Sequence, residues 1–419
     1  MHCSAVIDRS FLARRFGSVT SSGVVPDGCP DGLPVNCFAP QVGLVNDSVW
    51  MTGGECDPAV IEGKKYWHYP TVTLFGRLTL LEETSPAKHD DDDHDDGTSK
   101  LQLFLLPHTH ADVGWLSTPE NLARLNVSRI LNGVVGNLMN DTLKRRRFVW
   151  DEMYFQQYWW QNTATTLQQA QFHQLVQEKR IEFVDSGWSQ HDMGCTTYDS
   201  MLNNWREGHL WIREKFGAAA APRVGWSLDP FGISSSQAVL QSLMGFDAYF
   251  FTRVSDDVLA QAKANKTVEF VWRASSSLPD QETQILAHIF ESYYCMPLPT
   301  YAFEWGPANG AAVPSSANIE HLALGLVNIT KQRSAFFRSP NVLIPWGCDY
   351  NYQNAALVYN STDWLIDVIN AHSEEWGVVA QYTTATEYVA AIHRSDVVLP
   401  VKDDKQTFFP HVAVGETVI

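Results

Sequence analysis

The stretch LQLFLLPHTHADVGW, from Leu101 to Trp115, decides the fold. Leu101–Pro107 is a short, nearly unbroken apolar run that ends on a proline. It is too short for a stable helix, and it reads as a strand buried on both faces. Polar groups then arrive at once, with His108, His110 and Asp112 inside five residues. In parallel α/β folds the loops at the C-terminal ends of the strands build the site, and this stretch has that form.

The same alternation continues outward. Glu120–Leu138 carries apolar residues at helical spacing, and RRFVW (146–150) precedes a helical stretch from Tyr154 through Glu178. IEFV (181–184) leads to a helix near Asp199–Phe216, and RVGWSL (223–228) to one near Ser234–Leu243. FDAYFF (246–251) runs into a polar segment, and NVLIP (341–345) precedes a helix near Asn354–Ala371. Short apolar strands separated by single helices predict parallel βαβ units, in an α/β barrel or a doubly wound sheet. No internal repeat is present.

Residues 1–100 differ in texture. They are rich in Gly, Pro and Cys, with one strand-like stretch near Thr71–Leu81, and they close on HDDDDHDD (89–96). Adjacent like charges repel, so that run reads as a solvated linker rather than a chelating site. The chain of 419 residues carries 30 basic and 47 acidic residues, a net charge of -17. Removing the six acids of the run leaves about -11, so binding to a phosphate backbone is excluded while a neutral sugar is accommodated. The 15 Trp, 14 Tyr and 21 Phe suit sugar platforms, although such rings fill ordinary cores too.

Seven cysteines show no C-x-x-C spacing, and their odd number leaves at least one thiol free if disulfides form. Six N-x-S/T sequons, at Asn46, Asn126, Asn140, Asn265, Asn328 and Asn360, favour the secretory route. Residues 1–20 lack the apolar stretch of a signal peptide, and no segment approaches a membrane span.

Three polar clusters follow strand patterns: His108 to Trp115, Asp229-Pro-Phe-Gly232, and Trp346-Gly-Cys-Asp349-Tyr-Asn-Tyr352. His110 and Asp112, one residue apart in a turn, can face one ion, and imidazole nitrogen with carboxylate oxygen suits zinc. Asp229 and Asp349, each taken singly, read as helix caps. Taken with the His pair on one rim, they form a site.

These residues carry a resemblance. HTHADVGWLST, GWSLDPFG and IPWGCDYNYQNA resemble the signature blocks of the glycoside hydrolase family 38 α-mannosidases, nearest the lysosomal type. SGWSQHD, FGAAAAPRVGW, MGFDAYFFTR and VEFVWRAS are similar as well, in the right order, over roughly residues 101–410. The resemblance implies a seven-stranded parallel α/β barrel over 101–419, behind an unassigned extension over 1–100 that ends in the acidic linker. It implies zinc held by His110, Asp112 and Asp229, with Asp229 also the nucleophile and Asp349 the general acid/base. Trp115, Phe231 and Tyr352 are then expected to line the sugar site, and Arg253 to support the Asp229 carboxylate.

The implied activity is retaining, zinc-dependent hydrolysis of terminal α-D-mannose from N-glycans and oligosaccharides in the lysosome or secretory pathway. The family's fourth zinc ligand, a His in a His-His-Asp block, and the helical and β-rich domains after the barrel are expected to be missing here. Those domains, or a second copy of the chain, are expected to cover the barrel's apolar flank. Ala111, Met193 and Ile233 depart from the family pattern in the surroundings of the ligands. Two other readings remain open: an incomplete family 38 chain that binds glycans without turnover, and a metal-dependent polysaccharide deacetylase.

Overall fold

The computed structural model describes residues 100–409 and His411, and of residues 1–99 only the backbone of five short strands. Those strands form two antiparallel groups of their own. The strand expected near Thr71–Leu81 and the acidic run lie outside the described residues.

The mixed α/β unit opens with β1 (Leu101–Pro107), which pairs in parallel with two strands at once, β8 (Asn341–Trp346) and β9 (Val378–Tyr382). With both edges occupied, its side chains alternate between two cores. Leu103 and Leu105 pack with Leu131, Val135 and Ile366, while Phe104 and Leu106 pack with Trp226, Phe250 and Tyr388. Apolar residues are therefore needed on both faces, which explains the unbroken run.

A second sheet has the order β10–β6–β7–β5–β4, where β4 is Val224–Ser227, β5 Ala248–Phe251, β6 Glu269–Arg273, β7 Gln284–Ile289 and β10 Val401–Lys402. β4, β5 and β7 run parallel, and β6 pairs antiparallel with β7. The third sheet is the parallel pair β2 (Phe148–Trp150) and β3 (Ile181–Phe183).

The closed seven-stranded barrel expected from the sequence does not form among the described residues, and the strands between Leu101 and Lys402 stop at three separate sheets. β2 and β3 are three residues each, too short to carry a ladder on both edges. β2 pairs with β1 through the isolated His108–Val149 bridge, and Asp185 N, just past β3, donates to Val224 O at 2.8 Å.

The predicted helices form with two changes, and three more, over Asp256–Ala264, Ile319–Ser334 and Ala385–Arg394, were not read from the sequence. Pro119–Leu122 continues through a π-helical turn, Ala123–Val127, into α1 (Ser128–Met139). The expected single helix over 154–178 is two, α2 (Met153–Asn162) and α3 (Thr166–Gln177). Thr165 starts the second with a capping box to Gln168, which satisfies the new helix's first amides. The crossover helices α4 (Tyr198–Phe216), α5 (Ser235–Met244), α6 (Asp256–Ala264), α7 (Ile319–Ser334), α8 (Ala355–Ala371) and α9 (Ala385–Arg394) complete the unit.

Candidate active site and metal cradle

Parallel pairing sets the site by register. Pro345 lies opposite Leu106 and Trp346 opposite Pro107, so the residues that follow also pair. His110 N donates to Cys348 O at 3.2 Å, Tyr350 N donates to His110 O at 2.9 Å, and His110 and Asp349 form a parallel bridge. Gly347 makes this approach feasible, because a Cβ there would lie 1.9 Å from His108 O. β4 ends just before Asp229, β5 before Arg253, and the chain leaving β7 reaches Tyr293 and Tyr294. Every group comes from the C-terminal end of a parallel strand.

His110 Nε2 lies 3.4 Å from Asp112 Oδ1 and 3.9 Å from Asp229 Oδ2. One ligand atom from each of the three residues falls within 4.8 Å of the others. The His110 ring is buried, yet neither nitrogen has a hydrogen-bond partner. Burial lowers its proton affinity, but the Asp112 and Glu152 carboxylates outweigh that and hold its pKa well above the ordinary value. An orphaned imidazole nitrogen facing two carboxylates fits a divalent cation such as zinc. Glu152, buried after β2, stands 3.4 Å from His110 Nδ1 and accepts from Ala111 N at 3.1 Å. A carboxylate behind a ligating imidazole fixes its orientation. His108 is different: burial drives its pKa down to about 3, and its Nε2 meets Tyr294 O at 2.7 Å. It is a neutral core residue.

Asp229 Oδ1 receives Arg253 Nε at 2.7 Å, and Arg253 Nη2 also donates to it. The Tyr293 and Tyr294 hydroxyls each lie 3.2 Å from the same oxygen. Its backbone amide donates to Gln190 Oε1 at 3.0 Å, and Gln190 Nε2 in turn donates to Asp151 Oδ2 at 2.9 Å. The Tyr294 hydroxyl also reaches Asp349 Oδ1 at 2.9 Å, so one phenol spans both carboxyl groups. The sum of its two contacts limits the Oδ1 atoms to about 6 Å apart. Retaining glycosidases hold their carboxyl groups ~5–5.5 Å apart and inverting ones ~6.5–9.5 Å.

Burial raises the Asp349 pKa above the ordinary carboxylate value; His110 and the Tyr294 hydrogen bond work against that, and the Asp229 and Asp112 charges add to it. Burial, with the neighbouring phenol and carboxylates, pushes the Tyr294 phenol far up, so it stays protonated. Cys295 and Cys348 form a disulfide that ties the residue after Tyr294 to the residue before Asp349. Cys195 is free and exposed.

The expected sugar-site rings divide. Phe231 is half-exposed, with the Arg253 guanidinium 4.1 Å above its ring. Trp115 is half-exposed on the turn after Asp112. Tyr352 corrects the expectation: it is fully buried, edge-on to Phe148, and its hydroxyl donates to Trp346 O at 2.8 Å. Its positive φ of 72° turns the ring from the rim into the core. Sequence reading missed Glu152, Tyr293, Tyr294 and Gln190. Glu152 had the right signal, a polar residue directly after the strand FVW.

The parallel-strand rim thus brings two linked carboxyl groups beside three residues that could hold a metal ion. Residues 100–413 match the model of the glycosyl hydrolases family 38 N-terminal domain, and the chain belongs to that family. It is 36% identical over 333 residues to the epididymis-specific alpha-mannosidase of Homo sapiens, covering 74% of this chain and 32% of that protein. It is 31% identical over 324 residues to the lysosomal alpha-mannosidase of Mus musculus, covering 74% and 31%. The chain thus spans about a third of the length of these relatives. The crystal structure of an alpha-mannosidase from Enterococcus faecalis V583 shares the fold, at TM-score 0.55 and 18% identity, over 72% of this chain and 30% of that one.

Proposed function

We propose that this chain builds the sugar-cleaving site of a retaining α-mannosidase that removes terminal α-D-mannose from oligosaccharides, N-glycans among them. The observation that carries the reading is the Tyr294 hydroxyl bonded to both Asp229 and Asp349. Its span matches double displacement, and its single proton sorts the two acids. A phenol between two carboxyl oxygens donates to one only. A proton on Asp349 completes the set, so that Asp349 donates to Tyr294 and Tyr294 to Asp229.

Asp229 then attacks the anomeric carbon as the Asp349 proton moves to the leaving oxygen. Asp349, now a carboxylate, deprotonates the water that releases mannose. Arg253 and the two tyrosines hold the Asp229 carboxylate in place. Phe231 and Trp115 offer apolar faces to the sugar. His110, Asp112 and Asp229 would hold zinc, which supplies Lewis-acid binding of sugar hydroxyls when present. The catalytic part is taken as residues 101–419, and the sequons and the lysosomal relative support a lysosomal or secretory setting.

Turnover of an aryl α-mannoside, with chelator and with added zinc, tests the reading beside Asp229→Asn. Zinc-dependent release that the substitution abolishes is expected. Glycan binding without release in zinc would instead support the non-catalytic reading.

A further inference from the structure

Arg253, Tyr293 and Tyr294 hold the carboxylate of Asp229, and a different segment, Gln190–Asp192, holds its backbone. β4 ends at Ser227, so the next amides lie beyond its ladder and need other acceptors. The Leu228 amide donates to Gln190 Oε1 at 2.8 Å, and the Asp229 amide to the same oxygen at 3.0 Å. Pro230 carries no N–H, and the Phe231 amide donates to Asp192 Oδ2 at 2.8 Å. Every backbone donor from Leu228 to Phe231 is therefore taken by a side chain of this one segment.

Gln190 is anchored in turn. Its Nε2 donates to Asp151 Oδ2 at 2.9 Å, while Asp151 Oδ1 accepts from Ser186 N at 2.9 Å. Asp151 is 2% exposed, and both of its oxygens are engaged. A carboxylate only accepts, so it fixes which end of the Gln190 amide faces it. The nitrogen points to Asp151, and the oxygen is left for the Leu228 and Asp229 amides. The next residue, Glu152, stands 3.4 Å from His110 Nδ1 and accepts from Ala111 N at 3.1 Å. Two adjacent buried acids after β2 thus serve two different loops of the rim.

We propose that Asp151 and Gln190 are a positioning pair that sets where Asp229 stands relative to the anomeric carbon. They act on the reaction only through the backbone of Asp229. The inference rests on the mannosidase reading and deepens it. A shift of about 1 Å at a reacting group costs about 10²-fold in rate, so a loosened backbone should appear in kcat.

The test is an exchange of donor and acceptor in the zinc-loaded full chain. Gln190→Met keeps the side chain's length and removes its polar atoms. Asp151→Asn sets an NH2 against the NH2 of Gln190. In the double variant Asp151→Asn, Gln190→Glu the new amide donates to the new carboxylate, whose other oxygen still accepts from Leu228 and Asp229. On an aryl α-mannoside each single change is expected to lower kcat about 10–100-fold, with KM moving less than about threefold. The double variant is expected to recover most of the Asp151→Asn loss. A kcat unmoved in Gln190→Met, a loss carried by KM, or a double variant no better than Asp151→Asn overturns the pair. Deuterium exchange at the Leu228 and Asp229 amides, read without sugar, is expected to quicken in both single variants and slow again in the double. A wild type that cleaves, with exchange unmoved by the single changes, overturns the pair alone. A wild type that cleaves nothing, with exchange responding as expected, overturns the mannosidase reading and leaves the pair's hold on the loop standing.

Discussion

Tyr294 is the residue on which the assignment of acid and nucleophile turns, and it sits in a segment whose sequence, FESYYC, carries no motif. Its hydroxyl reaches both carboxyl groups only because β7 runs parallel to β5 and ends at the same rim. Asp349, with its pKa raised first by burial, must be protonated to act. Activity is therefore present below that pKa and lost as pH rises through it. Asp349→Asn is expected to remove this alkaline limb in a pH profile of kcat/KM, and to slow poor leaving groups by about 10²–10⁴-fold. Tyr294→Phe should lower kcat by about 10–100-fold, reflecting one lost charge-assisted hydrogen bond of ~1.5–3 kcal/mol, and should move the alkaline limb. An unmoved limb in Tyr294→Phe would separate the phenol from Asp349.

At this scale His110, Asp112, Asp229, Asp349 and Arg253 were legible because each follows a strand pattern directly. Tyr352 was not, since its direction depends on a left-handed backbone turn that composition does not announce. Tyr294 and Gln190 act through contacts across 65 and 39 residues respectively, which no local spacing reveals.

Among the elements, the β1–β8 pair does most to assemble the site, because one register places His110 beside Asp349. Gly347→Ala puts a Cβ against the His108 carbonyl, a backbone atom that cannot swing aside. The expected cost is about 1–3 kcal/mol in denaturant unfolding, with a loss of activity beyond what the stability change explains. The Cys295–Cys348 disulfide closes a 53-residue separation at the same rim. Replacing both cysteines by alanine should cost about 2–4 kcal/mol of stability, measured by thermal melting. β1, β4, β5 and β8 were readable as apolar runs bounded by polar loops. β6 and β7 form an antiparallel hairpin joined by a single helical turn, Asp280–Thr283, rather than by the long helix of a βαβ unit, so that part of the sheet gave no such signal. The break at Thr163–Thr165 was hidden because the apolar spacing continues across it, while the capping box restarts the helix.

For the whole molecule, the mixed α/β class and its parallel strands were legible, and the closed barrel was not formed by the described ladders. Pattern reading counts strands, but closure depends on strand length, and two of these strands are only three residues long. No helix among the described residues is long and apolar enough to cross a membrane. The metal cradle joins β1 to β4, so an ion held there stabilises the folded chain as a whole. Zinc at a hundred times its Kd should add about 2.7 kcal/mol, seen as a fall in Tm on chelation and its recovery with zinc. His110→Ala should abolish that difference.

In the proposed mechanism Asp229 bonds covalently to mannose while Asp349 handles the proton. The most direct measurement is mass spectrometry of peptides from the zinc-loaded chain after reaction with a fluorinated α-mannosyl fluoride, which loads the enzyme quickly and leaves it slowly. A fluoromannosyl adduct on Asp229 is expected, absent without zinc and absent in Asp229→Asn. An adduct on Asp349, or steady turnover with no adduct, would contradict it.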